Sequence, residues 1–338
     1  MPVDNHKIPM LPHLLLFLLL CSIGLFAQTE MSGFFDIIYS NMPTRKETGG
    51  FDINQFEIDI SKAYKGHLSF GSAIAYDSSS GGSIKLNMVY LHYNFIHPSV
   101  KHPRRVEEDE HVGIVIGKFD VPIGLDYLSY ASPDRPVVTQ PLIIEYTIAG
   151  WNDIGTNLHI NKKRFRLNVS VVNGFNKGIN FVGDFVYKFT PRFKIGVFHT
   201  SDFNRKFIQK SRLSGAYVFA EWSVCELKSE FIWANGIYGG EQDTMGQSHH
   251  HDGFYVQIVS YLDRLKKPLP WFFTVRYSLW QDENSNSPIP MPEKIDRYVF
   301  GIGYQLKTYS SFRLEYLVEN PKGEKYLDRL TAQLVVSF

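Results

Sequence analysis

The chain ends Leu330-Thr331-Ala332-Gln333-Leu334-Val335-Val336-Ser337-Phe338, and this stretch, read backwards, decides the fold. Phe338, Val336, Leu334, Ala332 and Leu330 alternate with Ser337, Val335, Gln333, Thr331 and Arg329. A period of two belongs to a β-strand with one apolar face and one largely wet face. The period recurs upstream. Phe312, Leu314, Tyr316 and Val318 enclose Arg313 and Glu315, and Tyr298, Phe300, Ile302, Tyr304 and Leu306 interleave with Arg297, Gly301, Gly303, Gln305 and Lys307. Phe165, Leu167, Val169 and Val171 alternate with Arg164, Arg166, Asn168 and Ser170, while Phe56, Ile58 and Ile60 alternate with Gln55, Glu57, Asp59 and Ser61. Helical periodicity is hard to find.

A soluble β-sandwich would also alternate, so two further features carry the decision. The strands run to about 10–12 residues, twice the usual length of about 5–6. Aromatic residues flank many of them: Tyr39, Tyr64, Tyr76, Tyr90, Tyr93, Tyr187, Phe189, Trp222, Trp233, Tyr255, Tyr261, Trp271, Trp280, Tyr298 and Tyr326. Long alternating strands between aromatic girdles predict an all-β fold, a closed transmembrane antiparallel up-and-down β-barrel. The segments are 32–40, 51–62, 66–77, 83–96, 111–119, 152–161, 163–174, 180–190, 192–202, 211–222, 224–237, 253–264, 271–281, 296–307, 310–320 and 327–338, which is 16 strands. Connections at 161–163, 190–191, 223 and 308–309 are tight, and those at 41–50, 120–151, 238–252 and 282–295 are long. That alternation fits short periplasmic turns facing long external loops. Residues 97–110 are long where a short turn is needed, so either this turn is extended or the fourth and fifth strands are displaced.

Composition agrees. The 338 residues carry 35 Lys+Arg against 34 Asp+Glu, a net charge of +1, which excludes nucleic acid held by bulk charge. No stretch after residue 27 has 18 consecutive apolar residues, so no helical span is expected. Residues 1–27 read as a cleaved signal peptide: His6 and Lys7, an apolar run from Leu14 to Phe26, then small Ala27. Bulky Leu20 before Cys21 disfavours a lipoprotein signal. Cutting after Ala27 makes 28–338 the outer-membrane barrel and leaves Cys225 as the one cysteine, unable to close an intrachain disulfide.

Gly117-Lys118-Phe119-Asp120-Val121-Pro122-Ile123-Gly124, Val171-Val172-Asn173-Gly174-Phe175 and Gly253-Phe254-Tyr255-Val256-Gln257 resemble motifs of the phosphate-selective porins (porins O and P) of Gram-negative outer membranes. The resemblance spans roughly 30–338. It implies passive diffusion of small solutes, a homotrimer and an outer-membrane address. That family's eyelet of lysines and arginines has no counterpart in 120–151, which holds Asp120, Asp126, Asp134 and Glu145 against one base, Arg135.

The expected channel is narrowed by 120–151, a connector far longer than ordinary loops, with Asp120, Asp126, Asp134, Arg135 and Glu145 as constriction residues. The strand phase predicts a basic pore wall of Arg164, Arg166, Lys188, Arg192 and Lys194, opposed by the luminal acids Glu57, Asp59, Asp153, Asp184, Glu226 and Glu230. Adjacent histidines His249, His250 and His251 are candidate metal ligands, since imidazole suits Zn²⁺, Ni²⁺ and Cu²⁺. His159 reads as an isolated luminal histidine. Phe338 is the expected assembly signal, presenting the C-terminal strand to the barrel assembly machinery. Expected partners are outer-membrane lipid and small polar solutes, with no cofactor and no enzymatic role. The alternatives are an occluded barrel serving as adhesin, receptor or scaffold, and a hydrolase built on His159, Asn168 and Ser170.

Overall fold

In the computed structural model, residues 29–43, 47–64, 67–78, 82–96, 110–125, 127, 129, 131–148, 150–174, 178–202, 212–235, 237–238, 241–242, 250–282, 293–307 and 310–338 are described. The expected signal peptide at 1–27, Asp126, His249 and most of 97–110 lie outside them.

The strands are β1 Thr29–Met42, β2 Glu47–Ala63, β3 Leu68–Asp77, β4 Ile84–Asn94, β5 His111–Asp120, β6 Asn152–Asn161, β7 Phe165–Val172, β8 Asn180–Thr190, β9 Phe193–Asp202, β10 Arg212–Trp222, β11 Cys225–Asn235, β12 Ile237–Tyr238, β13 Glu241–Gln242, β14 His250–Tyr261, β15 Trp271–Asp282, β16 Lys294–Lys307, β17 Ser310–Pro321 and β18 Leu327–Ser337. β12 and β13 pair only with each other. The other sixteen form one closed antiparallel barrel in which each strand pairs with its chain neighbours and β1 pairs with β18. The sixteen expected strands are all present. β4 and β5 pair from Val89↔Lys118 to Asn94↔Gly113, so neither is displaced and the long connection between them is real.

The last strand shows why alternation forces this shape. Leu330 and Leu334 are exposed on the outer wall, whereas Thr331, Gln333 and Val335 are buried facing inward. Val169, Phe185, Val197, Phe231, Val275 and Phe300 extend the exposed apolar surface across other strands. In hydrocarbon these side chains are compatible with their surroundings, while every strand finds hydrogen-bond partners on both sides. Outward aromatics meet in register: Trp271 with Tyr304 at 4.7 Å between ring centroids, and Tyr277 with Tyr298 at 5.1 Å. The two pairs are separated by about 20 Å along β15.

Four of the expected girdle residues turn inward, among them Tyr261, which shares the phase of Tyr255 on β14 and lines an interior cavity. Tyr90, Tyr255 and Trp280 sit in the inward phase of β4, β14 and β15 and are buried inside the barrel. They join an interior apolar cluster with Val182, Phe198, Leu213 and Ile232. The interior is therefore not uniformly wet, contrary to the simple division of faces.

A charge on the outer wall tests the orientation. Phe300→Arg should lower unfolding stability in lipid vesicles by about 2–4 kcal/mol, measured by urea titration. A loss below about 1 kcal/mol would place residue 300 away from the hydrocarbon.

Candidate functional site

Between β5 and β6 the chain does not stay outside the barrel. From Val121 to Trp151 it crosses the interior, through a 3₁₀ turn at Ser132–Asp134 and a short helix α1, Leu142–Tyr146. Irregular backbone inside a barrel leaves carbonyl and amide groups without ladder partners, and these must be met by side chains or water. The wall supplies them.

The carbonyls are met by three arginines on three consecutive strands. Arg276 of β15 donates to Thr139 O at 2.9 Å, Thr139 Oγ1 at 2.7 Å and Gln140 O at 3.0 Å. Arg297 of β16 donates to Gln140 O at 3.0 Å and Glu145 Oε2 at 2.8 Å, and its Nε to Glu319 Oε1 at 2.6 Å. Arg313 of β17 donates to Ser132 O, to Pro133 O at 3.2 Å and to Gln333 Oε1 at 3.2 Å. All three are under 5% exposed. The planar guanidinium suits this task because one side chain reaches several acceptors with fixed geometry.

The amides are met by carboxylates. Glu315 of β17 accepts from Val138 N at 2.8 Å and Thr139 N at 3.0 Å. Farther round the wall, Glu230 of β11 accepts from Leu125 N at 3.4 Å, and on the far side Asp184 of β8 accepts from Gly124 N at 3.3 Å. Gly124 has φ +72°, and a Cβ there would collide with the Glu230 carboxylate, so this turn needs glycine. A third anchor sits at the closure seam. Ser132 Oγ donates to Asp36 of β1 at 2.8 Å and Gln55 of β2 accepts from Ser132 N at 3.1 Å, while Gln333 of β18 also donates to Asp36. Between these anchors Leu142, Ile143 and Ile144 are fully buried, with Ile143 over Gly253 of β14, and Tyr146 lies 5.1 Å from Trp280 between ring centroids.

The expected constriction residues are distributed along this path. Asp120 accepts from Asn152 at 3.0 Å, Glu145 pairs with Arg297, and Arg135 is buried, donating to Ser132 Oγ at 3.0 Å and Gln55 Oε1 at 3.3 Å. Asp134 is exposed beside a cavity of about 190 Å³ that Arg135 and Arg313 help to line.

The basic pore wall is brought together differently from expectation. Arg166 points inward and is held by Asp184 at 3.3 Å and Tyr217 Oη at 3.2 Å, with its guanidinium 5.5 Å from the Tyr127 ring centroid. Lys188 and Lys194 are register partners; Lys188 donates to Asn161 and Lys194 lies 5.2 Å from the Phe219 ring centroid. Arg164 and Arg192 are exposed at adjacent tight turns, not on the inner wall. His250 and His251 fall on one strand, and so on opposite faces: His250 is 6.1 Å from Trp233 between ring centroids, and His251 stacks on Trp280 inside at 5.5 Å. The pair therefore does not converge on one ion. Ser170 donates to Asn157 at 3.0 Å and His159 Nε2 meets His92 at 3.2 Å, so although His159 and Asn168 are register partners, no hydrogen bond joins the three residues weighed as a hydrolase. Asp184 and Glu230 were legible as luminal acids. The three loop-gripping arginines were missed as a unit, although each stands in the wet phase of its strand.

A closed sixteen-stranded antiparallel barrel is a fold this chain shares with solved outer-membrane porins. The chain is similar to the outer membrane channel DcaP of Acinetobacter baumannii, with 12% identity, 92% of this chain and 97% of that one covered, and a TM-score of 0.62. It is also similar to OmpF of Salmonella typhi, solved with daunomycin, at 9% identity, 92% and 98% coverage and a TM-score of 0.63. The trimer form of OmpT of Vibrio cholerae matches at 10% identity, 92% and 99% coverage and a TM-score of 0.60. No family profile matches the chain, and no curated protein matches it in sequence. The likeness to phosphate-selective porins rests on the short motifs alone.

The Asp184 anchor gives a direct test. Arg166→Met leaves the buried Asp184 carboxylate without its guanidinium and should cost about 3–5 kcal/mol in denaturant unfolding of the folded barrel. Arg166→Met combined with Asp184→Asn should recover most of that loss. Equal losses in both variants would remove the ion pair as the cause.

Proposed function

We propose that the chain is a Gram-negative outer-membrane channel for passive diffusion of small hydrophilic solutes or ions. Its aperture is set by residues 121–151. The observation that carries this reading is the loop anchored at mid-barrel by Arg276, Arg297, Arg313, Glu315, Asp184 and Glu230. A connector held on opposite walls fixes the bore, and selectivity then follows from bore size and the charge lining it. Arg166, Lys188 and Lys194 on the β7–β9 wall, with Arg164 and Arg192 at its rim, are the bases that bias permeation. No phosphate preference is assigned, because the arginines on β15–β17 are engaged by loop carbonyls. The exposed apolar belt supports outer-membrane lipid as the surrounding partner. The trimeric solved form of a structurally similar protein supports a homotrimer.

One observation favours a second reading, an occluded barrel acting as adhesin, receptor or scaffold. Leu142, Ile143, Ile144, Tyr255 and Trp280 pack as an apolar plug inside the barrel, where water would otherwise run.

Planar-bilayer recording separates the two. The channel reading expects stepwise conductance that rises several-fold when residues 126–147 are replaced by a short Gly-Ser bridge. A folded barrel silent in both forms would establish occlusion by more than the loop and overturn the channel. In a salt gradient, changing Arg164, Arg166, Lys188, Arg192 and Lys194 to Glu should move the reversal potential toward cations. An unmoved potential would refute their part in permeation.

A further inference from the structure

His159 is not isolated. It meets His92 and His111 on the inner wall of three adjacent strands, β4, β5 and β6, near the barrel end that carries the tight turns. The three rings are 0%, 5% and 8% exposed for His92, His111 and His159. His92 and His159 belong to strands that are not neighbours, yet their rings touch across β5. Gly113 of β5, the register partner of both Asn94 and His159, makes this possible. A Cβ on residue 113 would lie 2.6 Å from His159 Nε2, so only glycine leaves the gap through which the imidazoles meet.

The contact is nitrogen to nitrogen, with His92 Nε2 3.2 Å from His159 Nε2. Two imidazoles bound to one ion through bonds of about 2.0–2.1 Å have their nitrogens about 3.2 Å apart when the angle at the ion is about 100°, close to tetrahedral. A simple N–H···N bond would fit the same distance, and in either arrangement His92 Nδ1 is buried without a hydrogen-bond partner among the described residues. Among the described residues no set of three His, Cys, Asp or Glu side chains already surrounds one point, so the arrangement is a two-imidazole clamp and not a closed structural site. His111 lies beside it, 4.9 Å from His159 between ring centroids.

We propose that His92 and His159 clamp a divalent transition ion of the Cu²⁺, Ni²⁺ or Zn²⁺ class through their Nε2 atoms, with water in the remaining positions. Imidazole pairs select these ions over Mg²⁺ and Ca²⁺, which require oxygen ligands. The site stands independently of solute passage.

The test uses the folded, tag-free barrel in detergent with His249→Ala and His250→Ala, which leaves only the buried His251 of the other histidine run. Cu²⁺ is titrated and followed by calorimetry and electron paramagnetic resonance. One ion per chain is expected, with superhyperfine splitting from at least two imidazole nitrogens. Replacing His92 or His159 by Asn should weaken binding at least tenfold. A spectrum showing fewer than two nitrogen couplings would overturn the clamp, as would unchanged affinity in a folded His159→Asn variant. The spectrum of the unsubstituted pair decides the question even if both Asn variants fail to fold.

Discussion

Hydrocarbon offers no partner to a backbone N–H or C=O, and the architecture of this chain follows from that one constraint. Sixteen strands laid side by side satisfy all but two edges, and the edges are satisfied only by each other. β1 and β18 meet over eight register pairs from Phe34↔Ser337 to Asn41↔Leu330. Beyond them Gly33 and Phe338 exchange both backbone bonds, at 3.0 and 2.9 Å. The last residue is therefore the final rung of the closure. Its ring lies over Gly33, where a Cβ would come within 2.8 Å of the Phe338 Cζ atom.

The same accounting, applied inside the barrel, explains the loop. Residues 121–151 have little ladder of their own, yet they cross a space bounded by strands whose amides and carbonyls are already paired. Their polar backbone must be met by side chains. Guanidinium forks on β15, β16 and β17 take the carbonyls, and carboxylates on β17, β8 and β11 take the amides. Donor and acceptor types are thereby sorted to opposite needs of one segment. The anchors also reach the seam, because Ser132 shares Asp36 with Gln333 across the β1–β18 junction. Closure of the wall and seating of the loop draw on the same carboxylate.

The apolar interior follows from the loop's composition. Leu142, Ile143 and Ile144 cannot face water on every side, so the wall opposite them is apolar as well, with Tyr255 and Trp280 in the inward phase. Burial of these groups contributes area-proportional stability, while the buried arginines beside them are tolerable because each has several acceptors. A barrel that carried only wet residues inside could not hold such a helix.

Much of this was written in the sequence. Alternation at period two, strand lengths near ten and the order of tight and long connections determined a closed sixteen-stranded barrel, because those properties are local and one face must meet hydrocarbon. The inward phase of Arg166, Asp184 and Glu230 was legible for the same reason, as was the abnormal length of 121–151. What sequence could not determine was which inward residues meet. Tyr90, Tyr255 and Trp280 read as girdle aromatics because their type is right, and only their phase, fixed by register, turns them inside. Arg276, Arg297 and Arg313 are scattered over 38 positions of chain, and His92, His111 and His159 over 68. Each set becomes a unit only when antiparallel pairing stacks its strands side by side. Period and face are properties of neighbours in sequence, but proximity across a sheet is a property of register, and register exists only in the closed fold.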